Sequence, residues 1–187
     1  MISGSKKEGS GAPLVLDGTR WIIVAGLVVG VVLGSAGNFF EPGGVKSILY
    51  ALSAVGLITA LVLLAVEHLS IGRRLTAGGL VLVALGETRV LNPFDVAGGE
   101  GSFAVGVLLY APGLLMLAWS TWLPLWVRLV GAAAAAVFAT YSLIYLGGGA
   151  LDSRGPLVSV GYALFTITVV GWIIAVIRSD STDRRNL

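Results

Sequence analysis

Glu87 and Arg89 are the residues of this chain whose types and setting suit chemistry best. They interrupt an apolar stretch, Leu75 to Phe94 (LTAGGLVLVALGETRVLNPF), that opens like a membrane-spanning helix behind Arg73 and Arg74. Such a helix needs roughly 20 residues to cross the hydrocarbon core. Glu87 arrives about 12 residues after Leu75, or roughly 18 Å at the helical rise. Either the helix ends early and both charges sit in water with the following loop, or two ionisable groups lie inside the membrane. Such groups are costly there and mark function. Two positions apart on a helix, Glu87 and Arg89 face different ways and do not pair directly. Their partners must come from elsewhere, such as Asp95, Glu100, Asp152 or Arg154. In a polar recess serving solute, ion or proton passage, Glu87 is the titrating group, held ionised near neutral pH by the proximity of Arg89. Tyr110 and Pro112, on the next apolar run, complete the candidate recess with Asp95.

Other chemistries have little to work with. The chain has no cysteine and one histidine, His68. Thiol chemistry, disulfides and iron–sulfur clusters are therefore excluded, and so is a bis-histidine haem within one chain. His68, near a run of charges, reads as a residue of the membrane–water boundary. No Gly-x-Ser-x-Gly elbow, His-Glu-x-x-His pair or phosphate-cradling loop occurs, and the acids are not spaced as metal ligands. The expectation is a protein that is not an enzyme and carries no cofactor or metal.

The elements that must position these residues are membrane helices. Of 187 residues, 56% are hydrophobic and 12% charged, with a mean hydropathy of +0.93; soluble domains carry about 25% charged residues. Six spans are predicted, at about 21–39, 45–66, 75–94, 103–119, 126–146 and 157–177. They form one transmembrane domain, 21–178, between cytoplasmic tails at 1–20 and 179–187. Lys6 and Lys7 are followed by Glu8 and a Gly/Ser tract rather than an apolar core, so the first residues do not read as a signal peptide. Gly26, Gly30 and Gly34 share one face of the first span and let another helix approach closely; packing within the chain is the simpler use, a homodimer seam the other. Pro112 and Gly113 kink the fourth span, as a structural bend or as a hinge. Trp119, Trp122, Trp126 and Arg128 read as an interfacial anchor. Pro156 opens the sixth span at a favoured first-turn position.

Six spans put both ends on one side. Taking that side as cytoplasmic gathers nine of the twelve basic residues there, leaving Lys46, Arg89 and Arg154 outside, while the ten acids split evenly. This is the positive-inside pattern, to which acids contribute little. The spans pair into three hairpins, each with a proline in its outer turn (Pro42, Pro93, Pro156), and glycine-rich first helices recur in AGLVVGVVLG (Ala25 to Gly34) and AGGLVLVALG (Ala77 to Gly86). Such recurrence suggests three copies of one unit.

With Gly79 to Pro93, then Gly106, Gly113 and Leu114 in the following helix, the chain resembles the HdeD family of small acid-resistance membrane proteins. The third turn departs from that pattern, with Gly147 to Gly149 and Asp152 where a short Asn-Pro turn is expected. The resemblance implies a stress-related envelope protein and brings no catalytic residues. The expected function is thus a non-catalytic structural or stress-response membrane protein in the cell membrane. The competing expectation is a small-solute or ion transporter, channel or substrate-capture subunit working through the Glu87/Arg89 recess. The expected partner is the lipid bilayer, with a second copy or another membrane subunit as a further candidate and no nucleic acid.

Overall fold

A computed structural model describes residues 17–41, 43–90, 99–149 and 155–183. It is all-α: α1 (Asp17–Gly37), α2 (Gly44–Ser70), α3 (Arg74–Val90), α4 (Gly99–Ala118), α5 (Leu125–Leu146) and α6 (Pro156–Asp183). Five of these, all but α3, are long and apolar enough to cross a membrane. Large apolar side chains such as Val55, Leu129 and Leu143 point outward along them, as they do when the surroundings are lipid. The chain is a multi-pass membrane protein. The helix α3, 17 residues long, carries Glu87 in its last turn.

Among the described residues, each helix packs against its neighbours in sequence, and α6 closes on α1. The result is a closed ring of six helices. Aromatic and leucine side chains fill its interior, with Trp172, Tyr110, Tyr141 and Phe138 among the largest that are fully buried. Arg20, Arg73, Arg74, Arg128 and Arg178 lie at one end of the ring, here the basic end.

Glycine sets the closeness of the hairpins. On α1, a Cβ at Gly26 would lie 2.6 Å from the Gly56 carbonyl oxygen, and one at Gly30 would lie 3.0 Å from Leu57 Cβ. Ser53 donates to the Gly30 carbonyl across the same seam at 2.7 Å. The stripe Gly26, Gly30 and Gly34 therefore faces α2 of its own chain. In the second hairpin glycine meets glycine twice: a Cβ at Gly79 would lie 2.8 Å from the Gly113 oxygen, and one at Gly86 would lie 2.7 Å from the Gly106 oxygen. Both pairs are spaced seven residues apart on their helices, and numbers rise on α3 as they fall on α4, so the two run antiparallel. In the third hairpin the glycines meet side chains instead, Gly131 facing Thr168 and Gly161 facing Phe138. The three hairpins share a plan but not one packing.

Candidate functional site

Glu87 lies one residue beyond Gly86, at the closest crossing of α3 and α4. The missing side chains at Gly86 and Gly106 bring the helices together and let the Tyr110 ring lie against Gly86. That fixes the Tyr110 hydroxyl where it donates a hydrogen bond to the Glu87 carboxylate. Glu87 is 6% exposed and Tyr110 fully buried. About 20 Å of helix separate Glu87 from the Arg74 end of α3. The carboxyl group is thus enclosed by the protein. It does not cap a helix end in water.

The surroundings are aromatic. The Tyr110 ring stacks on Phe165 at 5.1 Å and tilts against Phe138 at 5.3 Å. Phe138 in turn meets Tyr162 edge-on at 5.3 Å. The Tyr162 hydroxyl is buried beside that of Tyr110 without reaching full hydrogen-bond geometry. Helices α3, α4, α5 and α6 therefore each contribute to the shell around one acid. Glu87, Tyr110 and Tyr162 place four side-chain oxygens in a largely aromatic enclosure. Among the described residues no basic side chain forms an ion pair with Glu87; the Arg20–Glu67 pair, at 3.9 Å, lies at the basic end.

The residues expected to form the recess are separated by this arrangement. Glu87 and Tyr110 come together. Arg89 is exposed on the other side of α3, and its backbone oxygen accepts from Ser102 at 3.4 Å. Pro112 is exposed on the outer face of an α4 that runs unbroken through it. Asp95 lies outside the described residues, as do Asp152 and Arg154.

Three residues of the shell carried no separate signal in the sequence. Tyr162, Phe138 and Phe165 come from the third hairpin, and nothing local ties them to α3; only the closure of the ring brings them there. Periodicity offers a hint. Tyr162, Phe165 and Trp172 fall near one face of α6, and the Phe165 and Trp172 rings touch edge-on at 6.1 Å.

A second polar group occupies the basic end. His68, 5% exposed, is buried in the last turn of α2, close in the chain to Arg73 and Arg74. Its ring meets Trp122 edge-on at 4.7 Å. Nearby Thr76 and Ser120 hydrogen-bond at 2.8 Å, tying α3 to the turn before α5. Arg128 does not simply reach to the headgroups: its Nε donates to the Ala118 carbonyl and so satisfies the end of α4. Trp119 and Leu125 remain exposed around this end, as an interfacial anchor requires.

No protein-family model, curated protein or solved structure matches this chain. Geometry alone therefore carries the functional reading.

Proposed function

We propose that this multi-pass membrane protein is a small proton-linked carrier or channel of the cell membrane, with Glu87 as its proton-binding group and no catalytic role. One observation carries the reading: a carboxyl group enclosed among the helices, hydrogen-bonded by a tyrosine and free of any described ion pair. A purely structural bundle has little use for such a group, because burying an acid in an apolar interior is costly. The chemistry available is proton exchange. Glu87 accepts a proton from one aqueous face and returns it to the other, while Tyr110 holds the carboxyl in place through either state. Tyr162 adds a second hydroxyl next to the first. We further infer that both termini lie in the cytoplasm, since the basic end then obeys the positive-inside bias.

The test is proton uptake into liposomes holding the purified full-length protein under an imposed pH gradient. Wild type is expected to take up protons faster than protein-free vesicles, and Glu87→Gln to fall to their leak. Equal uptake by both proteins would overturn the reading.

A second reading, a structural or stress-response protein, is favoured by one feature. The Gly79–Gly113 and Gly86–Gly106 crossings hold α3 and α4 in close contact, and Arg89 and Pro112 face away from Glu87. On this reading Glu87–Tyr110 is a polar lock across the hairpin. Survival of a deletion strain under acid stress, restored equally by wild type and Glu87→Gln, would support it against the carrier.

A further inference from the structure

Among the described residues, Glu87 and His68 are the only acid or base, tyrosines apart, that the ring buries. They sit near opposite ends of adjacent helices, α3 and α2. Since α2 and α3 run in opposite directions, their levels differ by about 20 Å along the bundle.

The buried polar atoms between them follow a direction. At the level of Glu87 lies the Tyr162 hydroxyl. Ten residues further along α6, about 15 Å nearer the basic end, lies the Trp172 indole N–H. At that end lie the Trp122 N–H and both ring nitrogens of His68. The Tyr162 hydroxyl has only that of Tyr110 beside it, and the other four atoms have no hydrogen-bonding partner among the described residues. Buried polar groups left without a protein partner are usually completed by ordered water or an ion. Here they lie at successive levels of one ring of helices, so water completing them would be strung from the Glu87 level toward the basic end. A histidine is suited to the end of such a route, because it has two ring nitrogens, one to take a proton and the other to give one up.

Resting on the carrier reading above, we infer that His68 is the proton relay of the basic end, handing protons between the Glu87 side of the ring and the aqueous face. A proton arriving at one ring nitrogen is matched by release from the other, which leaves the ring neutral as its other tautomer; a ring flip or proton exchange with water resets it. The groups that face it are few. Arg73 follows in the chain, its N–H capping the His68 carbonyl at 2.8 Å and its charge acting on the ring. Glu67 beside it is engaged by Arg20 at 3.9 Å. Trp122 covers the ring from the turn before α5. Leu61, Leu64, Leu114 and Leu117, all buried, keep the region between otherwise apolar.

The experiment uses the full-length protein in liposomes under an imposed pH gradient, with wild type, His68→Ala, His68→Gln and Glu87→Gln compared. His68→Gln keeps much of the side-chain bulk and polarity, so a defect shared by both histidine variants is not a packing defect alone. Both are expected to slow proton uptake by about a hundredfold or more, the lower end of the range for a lost proton-transfer group. Imidazole in the buffer is expected to restore His68→Ala, with a series of methylimidazoles restoring it in step with their own basicity. Glu87→Gln is expected to stay inactive in the same buffers. Full uptake by His68→Ala beside an inactive Glu87→Gln would overturn the relay and leave the carrier reading standing. A slow His68→Ala that no imidazole restores would also overturn the relay, marking His68 as structural. Full uptake by Glu87→Gln would sink the carrier reading itself.

Discussion

At the scale of single residues, the Glu87–Tyr110 contact separates two kinds of substitution. Glu87→Gln keeps an oxygen to accept the tyrosine hydroxyl, so thermal melting in detergent is expected to change little while proton uptake is lost. Tyr110→Phe keeps the ring stacked on Phe165 but removes the donor. It leaves a buried carboxyl without its partner, and the expected cost is about 1–3 kcal/mol, read as a lower melting temperature. Equal melting of Tyr110→Phe and wild type would show that the hydrogen bond is not formed in the membrane. The identity of the central residue was legible in the sequence: Glu87 stands out because an acid in an apolar run is rare. Its partner was half legible: Tyr110 could be named as a lining residue, and the spacing put Arg89 on another face, but which of the two faces is buried could not be read. A helix places residues two apart about 200° apart around its axis, so burying Glu87 against α4 turns Arg89 outward. The burial of His68 was not legible for a related reason. Its position in the chain suggests a boundary, and Trp122 folds back over it from a turn whose path no local pattern specifies.

At the scale of elements, the α3–α4 seam is where packing and site depend on each other. Gly86→Ala places a Cβ 2.7 Å from the Gly106 carbonyl oxygen and equally close to the Tyr110 ring. Backbone cannot yield cheaply there, so a loss of about 1–3 kcal/mol is expected, together with a displaced Tyr110 and impaired uptake. Gly18→Ala is the control, because nothing lies within 4 Å of its added carbon; its melting temperature is expected to match wild type or exceed it slightly. A Gly86→Ala protein as stable as Gly18→Ala would mean the two helices are not so close. A smaller effect belongs to Ser142, whose hydroxyl donates to the Ala104 carbonyl at 2.9 Å and links α5 to α4. Ser142→Ala is expected to cost about 0.6 kcal/mol, the average for such bonds between membrane helices. The helices themselves were readable from apolar length and turn residues, and Pro156 does open α6. The second span extends further than its apolar core, to Ser70, because Glu67 and His68 continue the helix instead of ending it. The glycine stripes were readable as close-approach surfaces. Their partners were not, since a stripe on one helix does not say which neighbour it meets.

At the scale of the whole molecule, the ring order explains how distant hairpins make one site. Each hairpin is local in sequence, and sequence patterns capture that. The closure of α6 on α1, and with it the arrival of Tyr162 and Phe165 beside Tyr110, depends on the shapes of six helix faces at once. Orientation can be tested independently of function. The chain has no cysteine, so a single one introduced at Ser5 or at Asn186 is a unique label. Both are expected to react only from the cytoplasmic side if α3 crosses with the other five helices; labelling of the two from opposite sides would contradict six crossings. The central claim is that Glu87, enclosed within the helices, exchanges protons with water. It is tested most directly by infrared difference spectra of the liposome-embedded protein across a pH titration. A carboxyl stretching band that changes with pH in wild type and is missing in Glu87→Gln is the predicted result. No pH-dependent carboxyl band, or one that persists unchanged in Glu87→Gln, would contradict it.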